Sequence, residues 1–155
     1  MATAKVSPDA DAVVVEIQID VPPNRVFQAL IDPHQATQWW RNDAVSLEGF
    51  HLEPKVGGRW GYQTDKVVDG VNKFQVHGEV LEYDPPRLLA YTWIANLHED
   101  PARRTEVRWE LTPVSGGTRA KLTHSGLAQE PKSRSGYSGG WPDLLDRLKK
   151  FAETQ

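Results

Sequence analysis

Apolar and polar residues alternate near the start of the chain: Val13, Val15, Ile17, Ile19 and Val21 are separated by Val14, Glu16, Gln18 and Asp20. A period of two marks a strand with one buried face. The stretch before it, Met1 to Ala12, has no such pattern and is expected to be disordered. Pro22-Pro23-Asn24 ends the strand, and Val26, Phe27, Leu30 and Ile31 then fall at helical spacing until Pro33 stops the run. Asp32-Pro33 can cap a second short helix, which carries Trp39 and Trp40 near its end. From Ala44 to His124 the pattern becomes one of hairpins, with strands expected over 44–50, 58–65, 73–83, 88–94, 104–112 and 117–124. Gly57-Gly58, Asp69-Gly70 and Gly116-Gly117 mark turns between them.

Two of these hairpins allow a register to be written. Around the Asp84-Pro85-Pro86-Arg87 corner, pairing Tyr83 with Leu88 places Val80 opposite Tyr91 and Gly78 opposite Trp93 on one face. A glycine facing a tryptophan leaves room for the ring or for something lying against it. Across Val114-Ser115-Gly116-Gly117, pairing Pro113 with Thr118 sets Leu111 against Ala120, Trp109 against Leu122 and Val107 against His124. The same register brings Glu110 to Lys121 on the opposite side, so apolar partners share one face and opposite charges the other.

At the end of the chain Trp141, Leu144, Leu145, Leu148 and Phe151 form a helical stripe, with Asp143 and Asp146 early and Arg147, Lys149 and Lys150 late. That charge order suits the helix dipole, and Pro142 is expected in the first turn or at a bend. The loop from His98 to Arg104 reads as solvated. The expected class is therefore α+β: an antiparallel sheet of about six or seven strands, two short helices after the first strand, and a long C-terminal helix covering the apolar face. A curved sheet wrapped round one helix often leaves a gap between them, and that gap is the candidate site.

Composition narrows the chemistry. A length of 155 residues suits one domain over 1–155, with a core from about residue 12 to 154. The net charge of -3 and the dispersed basic residues argue against a nucleic-acid surface. With no cysteine, disulfides, thiolate nucleophiles and sulfur-ligated metals are excluded together. No segment of signal-peptide or membrane-spanning character is present, so the expectation is a soluble, cytoplasmic protein with no membrane partner.

In series, these residues resemble a known family, the Hsp90 ATPase activator homologue 1-like (AHSA1-like) domains of the START-like, SRPBCC, helix-grip group. The resemblance is carried by Pro22-Pro23 leading to Val26-Phe27 and Asp32-Pro33, by Trp39-Trp40, and by Gly57-Gly58-Arg59-Trp60. It continues through the hairpin from Gly78 to Trp93, Leu122-Thr123-His124-Ser125-Gly126-Leu127, and Gly140-Trp141 at the final helix. It implies a long C-terminal helix gripped by an antiparallel sheet with a cavity between. The eukaryotic co-chaperone has a separate N-terminal chaperone-binding domain, for which this sequence is too short. A chaperone partner is thus expected by family name only.

Six tryptophans, at 39, 40, 60, 93, 109 and 141, are the first candidates for lining an apolar site, against the alternative of ordinary core packing. Trp109, paired with Leu122, reads as core. The ligand-contacting set expected is Trp40, Trp60, Tyr62, Phe74, Tyr91, Trp93, His124 and Trp141, around a small hydrophobic or aromatic molecule and without a covalent mechanism. Arg41 and Arg59 could meet a carboxylate at the mouth. His124 is the one weak catalytic candidate, as acid or base in a cyclase, dehydratase or hydrolase of the kind known among helix-grip relatives; the competing reading is a hydrogen-bonded structural histidine. His34, His51, His77, His98 and His124 lack paired ligand spacing, so no metal and no cofactor are expected. Ser125 beside His124 is not a nucleophile elbow, and the paired glycines do not form a phosphate loop. A protein-interaction module, including a homodimer through a free strand edge, is the remaining alternative.

Overall fold

A computed structural model describes residues 2–154. The elements run β1 (Thr3–Val6), β2 (Val13–Ile19), α1 (Pro23–Ile31), α2 (Pro33–Trp39), β3 (Leu47–Leu52), β4 (Arg59–Val67), β5 (Lys73–Asp84), β6 (Leu88–Ala95), β7 (Thr105–Val114), β8 (Gly117–Ser125) and α3 (Pro131–Thr154). All eight strands belong to one antiparallel sheet in the order β1-β2-β8-β7-β6-β5-β4-β3. From β3 to β8 each strand pairs with the next in sequence. The two short helices carry the chain from β2 to the far edge, and α3 packs along β1 and β2 and against α1 and α2.

One strand lies beyond the expected set. Thr3–Val6 pairs antiparallel with β2, Thr3 facing Glu16 and Val6 facing Val13, so the expected disordered start is instead an edge strand. It is too short to show alternation, and it is held from outside by its partner strand and by the Ala2 amide, which donates to Asp146 Oδ1 of α3 at 2.9 Å. The capping expectation for α2 is met: the Asp32 side chain accepts from the His34 amide at 3.0 Å.

Across the sheet, side chains that face the helices line up in rows. One runs Val13, His124, Val107, Tyr91, Val80 and another Val15, Leu122, Trp109, Leu89. Every pair expected between β7 and β8 is observed, from Pro113 with Thr118 to Val107 with His124. In the β5–β6 hairpin the expected register holds where Val80 meets Tyr91, but Tyr83 pairs with Leu89 rather than Leu88. A bulge between Val80 and Glu82 takes up the extra residue and shifts the pairing nearer the proline corner.

Gly78 is bare for a different reason from the one its pattern suggests. A Cβ there would lie 2.0 Å from the Thr92 carbonyl oxygen, so the space is filled by the neighbouring backbone rather than left for the Trp93 ring. That carbonyl accepts from Trp60 Nε1 at 2.7 Å, and Thr92 Oγ1 accepts from the Glu79 amide at 2.8 Å. The close approach lets one residue of β6 bind β4 and β5 together.

Helix α3 starts ten residues before Trp141, which leaves Pro142 in its interior. A proline there removes one backbone donor, so the Ser138 carbonyl has no partner four residues on. The first half, Pro131 to Gly140, holds three glycines and three serines. Tyr137, part-buried against the core, is its one large apolar anchor. Helix propensity is poor in this half, and its helical state comes from what it covers.

The segment from His98 to Arg104 exposes Glu99 to Ala102 and Arg104 to solvent as expected, but it is docked on the body of the protein at His98 and Arg103. Glu130, fully buried just before α3, accepts from Arg103 Nε at 2.7 Å and from the Glu99 amide at 2.7 Å. Burial pushes the Glu130 carboxyl up, but Arg103 and the amides of Glu99 and Asp100 outweigh it and hold the pKa below the usual carboxylate range. His98 is itself buried.

Candidate functional site

An aromatic layer fills the space between β4–β6 and α3. Five of the six indole N–H groups are committed inside it: Trp39 to the Ala29 carbonyl, Trp60 to the Thr92 carbonyl, Trp93 to the Tyr137 hydroxyl, Trp109 to the Tyr91 hydroxyl and Trp141 to His124 Nδ1. Trp40 makes no bond of full hydrogen-bonding geometry among the described residues, but its N–H is turned toward the Tyr62 hydroxyl and partly offsets the rise in that phenol's pKa. It stacks on Trp39 at 5.3 Å between ring centroids and lies against Tyr62 at the same separation.

Beside Trp40 opens a pocket of about 170 Å³. Its floor is Trp40, Tyr62, Trp93 and Trp141, with Phe74 and Leu47 closing one side. Tyr137, Gly140 and Leu144 of α3 form the opposite wall, and Arg41, Asn42, Val45 and Asp143 stand at the rim. The end of α2 delivers Trp40. Alternation along β4 turns Tyr62 and Thr64 to the same side, and one helical turn separates Tyr137 from Trp141.

Of the eight residues expected to contact a ligand, Trp40, Tyr62, Phe74, Trp93 and Trp141 line this pocket. Trp60, Tyr91 and His124 lie in the packed layer behind it. Trp60 and Tyr91 stack on each other at 4.1 Å, with an angle of 29° between the rings. Arg59 is on the far side of the sheet, in a surface depression with His51, His77 and Glu79. Tyr137 and Leu144 were not among the expected contacts. Tyr137 continues the stripe of Trp141, Leu145 and Leu148 one turn back, a signal obscured by expecting the helix to open at Gly140-Trp141 with Pro142 in its first turn or at a bend.

His124 is fully buried, and both its ring nitrogens are engaged. Because Nδ1 accepts from Trp141 Nε1 at 3.1 Å, the ring proton sits on Nε2, which donates to Thr105 Oγ1 at 2.9 Å. The Thr105 hydroxyl in turn donates a hydrogen bond to the Trp93 carbonyl oxygen at 2.6 Å. Burial, with a smaller effect from His98, holds the imidazole well below its ordinary pKa. A second proton on Nδ1 would face an N–H donor, so the network stabilises the neutral ring and ties β7, β8, β6 and α3 together.

Tyr137 carries a related chain. Its hydroxyl accepts from Trp93 Nε1 at 3.0 Å and lies 2.8 Å from His98 Nε2. The arrangement that satisfies most groups has Tyr137 donating to Nε2, with the His98 proton on Nδ1. That Nδ1 is the one buried side-chain polar atom among the described residues without a partner. Burial lowers the His98 pKa, partly offset by Glu130. Tyr62 and Tyr137 phenols are both pushed up by burial and remain neutral donors at ordinary pH. Among the described residues no group of three or more His, Asp or Glu side chains is placed to hold a metal ion, and no helix is long and apolar enough to cross a membrane.

An open antiparallel sheet packed on a long C-terminal helix defines a helix-grip domain of the START-like class. Solved structures share it. A Rhodobacter sphaeroides protein superposes with a TM-score of 0.84 at 16% identity, covering 99% of each chain. A Nitrosomonas europaea protein gives 0.78 at 20% identity, over 96% of this chain and 97% of the other. A Mesorhizobium loti protein gives 0.71 at 29% identity, over 93% and 98%. The sequence model for "Activator of Hsp90 ATPase homolog 1-like protein" matches residues 20–153, and the chain belongs to that family. No curated protein matches it.

Proposed function

We propose that this protein is a binding domain for a small apolar or aromatic molecule, held between β4–β6 and α3 without covalent chemistry. The observation that carries the reading is the pocket at Trp40, where four aromatic residues meet a wall of α3 made from Tyr137, Gly140 and Leu144. Pockets of this kind bind through buried apolar area and take orientation from a few polar groups. Here the Tyr62 hydroxyl, which the Trp40 indole N–H faces, and the Asn42 amide at the rim are those groups. His124 is set apart from them by Trp93 and Trp141, which favours binding over acid–base chemistry at this position.

A thermal-shift and tryptophan-fluorescence screen with small aromatic and alicyclic compounds tests the proposal. Saturable stabilisation is expected, and Val45→Trp, which places a large ring at the rim, should reduce it. A screen giving no saturable response, or hits indifferent to Val45→Trp, counts against the pocket. The free edges of β1 and β3 favour a second reading, a homodimer or protein-interaction module. Sedimentation over a range of concentrations tests the dimer, and Hsp90 ATPase stimulation tests the partner that the family description names.

A further inference from the structure

The polar groups left free around the pocket are unequal in kind, and the imbalance names a ligand class. Asn42 Oδ1 accepts from the amides of Ala44 at 2.7 Å and Val45 at 2.8 Å. With its oxygen engaged by the turn, the amide group that remains for a ligand is the NH₂ donor. Asp143, the acidic residue on the rim, pairs with Arg147 at 3.1 Å, and Arg147 also reaches Asp43 at 3.2 Å. Thr64 is committed at its hydroxyl, donating to the Lys66 carbonyl and accepting from the Phe74 amide. Arg41, exposed at the same rim, takes part in no ion pair or side-chain hydrogen bond among the described residues. The Trp40 indole N–H is turned toward the Tyr62 hydroxyl, which keeps its own proton to donate. The groups still available are therefore Arg41, the Asn42 amide and the Tyr62 hydroxyl. Two are donors only, and the third can donate.

Size sets the other half of the description. A dry apolar cavity of about 150 Å³ holds benzene, and this pocket is about 170 Å³. It fits one aromatic ring with a short substituent. The geometry points to a single-ring aromatic carboxylate as the ligand class: the ring lies among Trp40, Tyr62, Phe74 and Trp93, and the carboxylate meets Arg41 and Asn42 at the rim. The planar guanidinium suits a carboxylate, and hydrogen bonds between charged groups are the stronger kind. This assignment rests on the pocket being a binding site, as proposed above.

Isothermal titration of the full chain with phenylacetate and hydrocinnamate, against phenylacetamide and hydrocinnamamide, tests it. Acid and amide share ring, length and shape, so their difference reads the carboxylate alone. The acids are expected to bind about tenfold more tightly than the amides, and Arg41→Gln should bring acid and amide to within about threefold of each other. Arg119→Gln, a cation on the outer side of β8 paired with Glu16, should keep the tenfold preference. Equal binding of acid and amide to the unaltered protein overturns the carboxylate assignment while the aromatic pocket stands. Binding of neither, and of no uncharged single-ring aromatic such as ethylbenzene, overturns both. A preference that survives Arg41→Gln overturns the placement of the carboxylate at the rim.

Discussion

At His124 two neighbours give the two ring nitrogens opposite tasks, Trp141 donating to one and Thr105 accepting from the other. The consequence is measurable in the ring and in the stability of the fold. Nitrogen NMR should show the Nε2–H tautomer, unchanged down to a pH well below 6.5. His124 and His98 both have pKa values depressed in the folded chain, so below their ordinary value of 6.5 the unfolded chain takes up protons that the native state refuses. The stability these neutral rings preserve is fully present above about pH 6.5 and is lost as pH falls toward the native values. The slope reaches at most about 1.4 kcal/mol per pH unit for each histidine. Urea midpoints at pH 7.5 and 5.5 check it: a clear fall is expected, and equal midpoints would remove the buried neutral pair from the account. Gly78 makes a second residue-level prediction. Since a Cβ would strike the Thr92 carbonyl, Gly78→Ala should destabilise by about 3 kcal/mol, read as a lower denaturant midpoint with unchanged slope.

Among the elements, α3 joins two unlike halves, and the join falls at Pro142. Downstream, Leu145, Leu148 and Ala152 are fully buried and would hold a helix by packing alone. Upstream, Gly136 and Gly139 meet nothing within 4 Å of a built Cβ, so they lower helix stability without serving a close contact. Gly136→Ala and Gly139→Ala should each stabilise by about 0.5 to 1 kcal/mol, or roughly 2 to 4 °C per kcal/mol in Tm for a domain of this size. A loss of stability instead would mean that this half of the helix is not formed in solution. The docked loop gives the opposite sign. Arg103→Ala leaves the buried Glu130 carboxylate with only backbone donors and should cost about 3 kcal/mol.

These elements also show what the sequence made legible. The β7–β8 register could be read because two independent patterns, apolar pairs on one face and Glu110 with Lys121 on the other, agree on a single alignment. The first half of α3 could not, because its glycines, serines and proline spell a loop, and its helical state depends on Tyr137 reaching Trp93 and His98 from distant parts of the chain. β1 is hidden for the same reason, being defined by its partner strand. Within the candidate site, the aromatic residues were visible as types. Which of them face the pocket was not, because Trp60 and Tyr91 differ from Trp93 only in how a bulged, eight-stranded sheet turns them.

For the whole molecule, the central claim is that the aromatic layer divides into a packed part, where indole donors are bound to protein acceptors, and an open part around Trp40 that receives a ligand. The six indole N–H groups report on that division directly. In a two-dimensional nitrogen–proton spectrum, titration with a single-ring aromatic compound should move the Trp40 signal saturably. Trp93 and Trp141, on the pocket wall, should follow with the same apparent Kd, while Trp60 and Trp109, in the packed layer, keep their positions. Indole signals that all remain fixed, or a saturable shift centred on Trp60 or Trp109 with Trp40 unmoved, would contradict the account.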